Sequence, residues 1–445
     1  MSRESIAQIL KKPFAIFTII LLLKGYLAWA VTFGDWLPWR VLITEIPFIW
    51  LLFCLIEWCA SKRKLMSYTI VNIILTGVFF AVIMYFKYYG VIVNYHALAQ
   101  VNQVTEVKSS VFSLMDPYYL LVFADIIVLL VLLLKSRKVK EWRISIKRKP
   151  KKSVVSVVFI LCLVVCLFNI LPNRASMNEI KKAQQMGILN YEAYTIFSQK
   201  KEPLIPLENI HQADIDKLKG ITVPDHPKYF GNAKGKNLII IQLESFQNFL
   251  IGLKIDGKEI TPNMNKLAKE QLYFSNFNQQ VGQGNTSDAE FVVNTSFYIP
   301  PDGAATQRYV DKKLPSLPRL LEQNGYNTLT LHTNKVHFWN REELYSSLGF
   351  QHYYDQSYFG EDDLVFFGAS DEVLYAKTAK KLQELDREDK PFYAQIISMS
   401  AHHPFTIPAR KYKMELPERY QALLSETISG RKIMPITLWG FSSRI

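Results

Sequence analysis

Five apolar runs crowd into the first 172 of 445 residues, at 14–33, 42–59, 68–86, 118–134 and 154–171. Each approaches the ~20 residues that a helix, rising 1.5 Å per residue, needs to cross a ~30 Å hydrocarbon core. One such run fits a buried core helix. Five in series read as membrane spans. The connections between them set an orientation, because cytoplasmic loops retain an excess of Lys and Arg. Lys11 and Lys12 precede the first run, Lys62, Arg63 and Lys64 follow the second, and the stretch 135–152 carries ten basic residues against the single acid Glu141. Those segments are expected in the cytoplasm. The connections around 35–40 and 92–116 are poor in basic residues and fall outside, so everything after Leu171 is expected outside as well.

A net charge of +13 invites a nucleic-acid reading, which the distribution of charge excludes. The first 172 residues hold 20 Lys+Arg against 8 Asp+Glu, a net +12, and the remainder holds 32 against 31, a net +1. The basicity is therefore a topology signal and an attraction to anionic lipid. Cys54, Cys59, Cys162 and Cys166 all lie inside the apolar runs. The rest of the chain thus has neither a disulfide nor a cysteine metal site. The first run reads as a permanent anchor rather than a cleaved signal.

From 173 to 235 the chain is polar, with a helical stretch near 177–200 followed by Pro203, Pro206, Pro224 and Pro227, the pattern of a connector. From Lys236 onward strands and helices alternate. Strands are expected at 236–243, 272–277, 326–332 and 392–400. Helices are expected after Thr261-Pro262 and over 316–324, 340–348 and 370–385. Such alternation predicts a parallel or mixed sheet covered by helices, with ligands beyond the carboxyl ends of the strands. Glu244 and His332 end the first and third strands, and His402 and His403 follow the fourth. The domains expected are 1–172 in the membrane, 173–235 as helical linker and 236–445 as the α/β domain.

The segment Gly282-Gln-Gly-Asn-Thr-Ser-Asp-Ala-Glu290 joins a strand to a helix. Ser287 and Glu290 have capping-box spacing, which puts Thr286 at or just before the helix N-terminus. Unpaired N–H groups and the positive helix end there favour anionic oxygen, and a hydroxyl in that position is a candidate nucleophile once a divalent metal lowers its pKa. Glu244, after an apolar strand, is an oxygen ligand suited to Mg²⁺ or Mn²⁺. Arg341 offers a planar fork to phosphate, and Trp339 a face for glycerol carbons. Each feature alone also has a bland reading: an N-cap, a solvated strand end, ordinary packing.

Taken together, Gln242-Leu-Glu-Ser-Phe-Gln, Gly282-Gln-Gly-Asn-Thr-Ser-Asp-Ala-Glu-Phe, Phe338-Trp-Asn-Arg and Ser400-Ala-His-His-Pro-Phe, in that order after five spans, resemble the lipoteichoic acid synthase family. The resemblance runs to about residue 425. It implies a five-helix transmembrane domain followed by an α/β domain of the alkaline-phosphatase or sulfatase-like fold, with Mn²⁺ or Mg²⁺ as cofactor. It matches Thr286 to the nucleophile and to a metal ligand, Glu244 to a metal ligand, and His332, Trp339, Arg341 and His402 to glycerol-phosphate binding positions. It implies a phosphoglycerol transferase of the bacterial cell membrane, with phosphatidylglycerol as donor and a glycolipid or polyglycerol-phosphate chain as acceptor. It implies, too, a threonine-linked intermediate between the two transfers. A primase-type paralogue is the nearby enzyme alternative. A sulfatase proper is disfavoured, because that class uses a formylglycine made from Cys or Ser where Thr286 stands.

One departure stands out. The family's downstream Asp-His ligand pair has no counterpart here: the only Asp-His is Asp225-His226, and no Asp follows Asp389. The segment 429–445 resembles no family segment. The expectation is an incomplete α/β domain, with an exposed sheet edge and a metal lacking its main ligands. The reading from another class is therefore a catalytically inactive membrane protein that binds lipid headgroups or cell-wall synthesis partners.

Overall fold

The computed structural model of the protein describes residues 13–34, 38–60, 63–95, 97, 112, 115–135, 151–176, 178–197, 209, 211–220, 222, 228–300, 303–365, 368–402, 407–411, 427–428 and 431–432. Lys11, Lys12, Lys62, the basic stretch over 136–150, Asp225-His226, His403 and most of 429–445 lie outside the described residues, as does most of the loop 92–116.

The apolar runs form α1 (Pro13–Phe33), α2 (Pro38–Cys59), α3 (Lys64–Tyr89), α4 (Ala124–Lys135) and α5 (Lys152–Ile170). α1, α2, α3 and α5 are each long and apolar enough to cross a membrane. The run at 118–134 takes another form. A seven-residue 3-10 turn, Pro117–Phe123, leads into the twelve residues of α4. This stretch is apolar but shorter than the other four helices. Phe17, Leu21, Trp29, Ile49, Phe53 and Phe79 fill the bundle's interior. Leu23, Ile74, Leu121 and Phe168 face outward, where water would leave them unburied and lipid would not.

The charged side chains Lys24 and Glu45 inside the bundle are paired, as a low-dielectric interior demands. The Lys24 ammonium donates to Asn72 Oδ1 at 3.0 Å and Thr76 Oγ1 at 2.6 Å, and sits 2.7 Å from Asp125. The Glu45 carboxylate, fully buried, accepts from Trp29 Nε1 at 2.9 Å and from the backbone N–H groups of Ile188 and Leu189 at 2.8 and 3.1 Å. Those two N–H groups open α7 (Ile188–Phe197), which follows α6 (Glu179–Met186) across Gly187. Gly187 has φ +90°, and a Cβ there would lie 2.5 Å from Thr44 Cβ. Only glycine lets α6 and α7 turn this close to α2. α8 (Gln212–Lys219) follows in the connector.

The α/β part carries a four-stranded, wholly parallel sheet. Its strands are β1 (Leu238–Gln242), β2 (Asn327–His332), β3 (His352–Tyr354) and β4 (Phe392–Ile397), in the order β1-β4-β2-β3. β2 and β4 are central and buried almost along their length; β4 reads as a largely apolar run, whereas β2 alternates Leu329 and Leu331 with Thr328 and Thr330. β1 is an edge and leaves Ile239 and Ile241 half-exposed on one face. The helices are α9 (Pro262–Glu270), α10 (Thr286–Thr295), α11 (Ala305–Arg308), α12 (Leu317–Gln323), α13 (Arg341–Leu348), α14 (Gln356–Phe359) and α15 (Asp371–Leu385). The strand expected at 272–277 does not form. That segment is irregular, with Leu272, Phe274 and Phe277 mostly exposed, so its aromatic run has no ladder partner. The short β3 was not anticipated. It takes its place by pairing Leu329, Thr330 and Leu331 of β2 with its own three residues.

Candidate active site

Parallel strands deliver their carboxyl ends to one edge, and the expected site residues gather there. Glu244 lies two residues past β1, His332 closes β2, and His402 lies five residues past β4. The turn 282–286 faces the first of these. Thr286 is the first residue of α10 and half-buried, and its Oγ1 donates to Glu244 Oε2 at 2.8 Å. Gln242 Nε2 donates to the Thr286 carbonyl at 3.2 Å, tying the helix start to the end of β1. Glu244 is itself fixed: its N–H donates to Ser398 Oγ at 2.7 Å, and its Oε1 accepts from Ser245 Oγ at 3.0 Å.

The turn is held by a residue whose role the spacing did not reveal. Asp288, fully buried, accepts from the N–H groups of Gly282 at 3.0 Å and Gly284 at 2.9 Å through Oδ2, and from Ala305 at 2.9 Å through Oδ1. Burial pushes its pKa up while the three N–H donors pull it down, and burial prevails. A Cβ on Gly284 would lie 2.3 Å from Asp288 Oδ1, so the turn closes only around glycine. Asn285, between Gly284 and Thr286, takes φ +45°, a left-handed backbone adopted one residue before the helix. Strain of that kind collects at reactive turns. The capping box expected of Ser287 and Glu290 is absent: Ser287 Oγ donates to the Gly284 carbonyl at 2.9 Å, and Glu290 is engaged elsewhere.

Glu290 is paired with Arg341, 51 residues on. The guanidinium Nε donates to Glu290 Oε1 at 2.8 Å, and Tyr345 Oη donates to Oε2 at 2.8 Å, with Glu290, Arg341 and Tyr345 all buried. Burial works against the Arg341 charge, but Glu290 outweighs it and the pKa rises; Glu244 contributes in the same direction. Arg341 is thus committed along one edge to Glu290. A guanidinium has five donors in a planar fork, so its other nitrogens remain chemically suited to phosphate.

His332 is buried, and its Nδ1 lies 3.0 Å from the Ile397 carbonyl. Burial first, then the Arg341 charge, hold its pKa well below the usual imidazole range. It is a neutral ring that donates through Nδ1 and keeps an acceptor lone pair at Nε2. His402 is near enough for its charge to act on His332, and the His402 N–H donates to the Met399 carbonyl at 2.9 Å. The loop that carries His402 is anchored by Asp371, whose Oδ1 accepts from Met399 N at 2.7 Å and Ser400 N at 3.0 Å. Trp339 has φ +60°, is buried against Ala304 and Phe338, and meets Tyr89 of α3 edge-to-face at 5.7 Å between ring centroids. Sequence reasoning placed Trp339 against glycerol carbons and did not foresee this seam with a membrane helix.

Glu244 and Thr286 offer two hard oxygen donors 2.8 Å apart. That separation matches the edge of about 3 Å in an octahedron with ligands about 2.1 Å from the ion. Among the described residues no group of three or more His, Cys, Asp or Glu converges on a metal position. The pair therefore fits one edge of a divalent-cation shell and accounts for no more of it.

Residues 2–204 match the family model of the lipoteichoic acid synthase N-terminal domain, and residues 236–427 match that of the sulfatases. The chain is 30% identical over 369 residues to lipoteichoic acid synthase 1 of Bacillus subtilis, covering 78% of this chain and 56% of the relative. With lipoteichoic acid synthase 2 of the same organism it shares 30% over 414 residues, covering 88% and 62%. A solved lipoteichoic acid synthase of Listeria monocytogenes shares 44% identity over 51% of this chain and 54% of its own, with a TM-score of 0.47. The chain thus spans about three fifths of the length of those curated relatives. Apolar membrane helices followed by a sulfatase-like α/β domain with a parallel sheet are the architecture of this chain.

Proposed function

The chain belongs to the lipoteichoic acid synthase family, and on that premise we propose that it transfers phosphoglycerol from phosphatidylglycerol to a glycolipid or polyglycerol-phosphate acceptor. The observation that carries the reading is the Thr286 hydroxyl at the start of α10, hydrogen-bonded at 2.8 Å to Glu244.

In the first half-reaction Thr286 Oγ1 attacks phosphorus, a new P–O bond forms, and the bond to the diacylglycerol oxygen breaks. Diacylglycerol leaves with a proton, and a glycerophosphoryl-threonine remains. An acceptor hydroxyl then attacks the same phosphorus and restores the threonine. A divalent cation, Mn²⁺ or Mg²⁺, held in part by Glu244 and Thr286, would lower the hydroxyl pKa and stabilise charge on the phosphoryl oxygens. The chain's own groups do the rest. Glu244 orients the Thr286 hydroxyl. Arg341, fixed by Glu290, offers donors to phosphoryl oxygens. Neutral His332 can accept from a glycerol hydroxyl, and Trp339 and His402 complete the walls of the proposed subsite. The sulfatase alternative lacks support, since position 286 is threonine.

The charge asymmetry of the sequence supports a cytoplasmic N-terminus and an α/β domain on the outer face, where phosphatidylglycerol headgroups and wall polymers are in reach. The domains we propose are 1–172 in the membrane, 173–235 as linker and the α/β domain from 236. A second reading is a headgroup-binding protein without turnover, favoured by the single edge of metal shell among the described residues. Diacylglycerol release from phosphatidylglycerol vesicles containing Mn²⁺ separates the two. The transferase releases it and Thr286→Ala does not; equal, background release from both leaves the second reading standing.

A further inference from the structure

Gln283 is the middle residue of Gly282-Gln283-Gly284 and is buried, so its side-chain amide must find a partner. The partner lies 104 residues upstream: Gln283 Nε2 donates to both oxygens of Glu179, at 3.1 and 3.3 Å. Glu179 stands in the first turn of α6, which Asn178 caps by accepting from Lys181 N at 2.9 Å. α6 is in turn fixed to the membrane bundle. Glu45 of α2 holds the first two N–H groups of α7, and Asn190 Nδ2 donates to the Thr44 carbonyl at 3.0 Å and to the Met186 carbonyl at 2.9 Å. Beside this contact, Tyr89 of α3 meets Trp339.

A continuous series of contacts, partly buried at Glu179, thus runs from a membrane helix to the turn that carries Thr286. Asp288 pins the turn from within the α/β domain, through N–H groups on either side of Gln283. Glu179 pins the remaining side chain from the connector. A charge-assisted bond to a carboxylate is among the stronger hydrogen bonds, and here it satisfies the buried Gln283 amide. We propose that Glu179 is a positioning residue for the nucleophile turn, so that seating of the α/β domain on its own membrane domain steadies Thr286 in its reactive geometry. The inference rests on Thr286 being the nucleophile. It adds that the connector helices set the turn and do more than link two domains.

The test is amide hydrogen exchange on the full chain in lipid nanodiscs, comparing the wild type with Glu179→Ala and Glu179→Gln. Gln keeps an acceptor oxygen for the Gln283 amide and Ala does not. Expected is a roughly tenfold faster exchange across 282–289 in Glu179→Ala, near-wild-type exchange in Glu179→Gln, and no change in α15. In the same preparations Thr286 modification by phosphatidylglycerol should slow in Glu179→Ala with its half-saturating lipid concentration unmoved. Unchanged exchange in Glu179→Ala, or loosening of α15 alongside the turn, overturns the proposal. If Thr286 is modified in none of the three chains, the functional reading fails while the exchange result still decides the role of Glu179.

Discussion

At the level of single residues, Glu290 and Arg341 form an ion pair in which both groups are withdrawn from water. Removing one partner strands the other charge. Glu290→Ala is expected to destabilise the α/β domain by about 3–5 kcal/mol, read by denaturant or thermal unfolding, with Glu290→Gln losing less. Glu192 in α7 gives a second test. Burial, reinforced by the charge of Glu179, pushes its carboxyl pKa from 4.5 up to about 8. Between those values the folded chain holds a proton that the unfolded chain has lost. Stability contributed by the neutral carboxyl is therefore present at pH 4.5, falls as pH rises, and is gone above about 8. Thermal midpoints measured from pH 5 to 8.5 should decline less in Glu192→Gln than in the wild type; parallel curves would show that Glu192 does not hold this proton. Much of the proposed site was legible at this scale because Thr286, Glu244, His332 and His402 each follow a recognisable strand end or helix start. Glu290, Asp288 and Glu179 were not assigned their roles, since their partners are backbone groups or side chains far away in sequence.

At the level of elements, the legible strands are β1 and β4, with their apolar runs, and β2, whose Leu329 and Leu331 alternate with β-branched threonines. The aromatic stretch 272–277 shows the limit of that signal. Apolar residues specify a strand only when a neighbouring strand offers a ladder and a face to bury against, and here Phe274 and Phe277 remain exposed. The start of α10 was anticipated at Thr286 although the expected capping box was wrong, because the glycines before it, more than the cap, determine where the turn closes. Gly284→Ala tests this. Its Cβ would collide with Asp288 Oδ1, and overpacking of that kind costs about 1–3 kcal/mol. Loss of the Thr286 reaction with β2 and β4 still protected from hydrogen exchange is the expected outcome. Retained activity would mean that the turn tolerates another shape. Gly187→Ala is the corresponding change in the connector, where strain at φ +90° and contact with Thr44 coincide. It should loosen α6 and α7 from α2.

For the whole molecule, apolar length and charge asymmetry made the membrane part readable, whereas the seating of the α/β domain on that part rests on contacts such as Gln283 with Glu179 and Tyr89 with Trp339. No local pattern encodes those, because they join segments more than 100 residues apart. The proposed orientation predicts that a membrane-impermeant maleimide labels Lys258→Cys in intact cells when the four native cysteines are replaced by Ser. Labelling only after lysis would invert the topology. The most direct test of the central claim is mass spectrometry of the full chain after incubation with phosphatidylglycerol and Mn²⁺. One glycerophosphoryl group is expected, on the peptide that carries Thr286, and none in Thr286→Ala. An adduct on another residue, or none on a chain that is folded and lipid-bound, would contradict it and leave a protein that binds headgroups without transferring them.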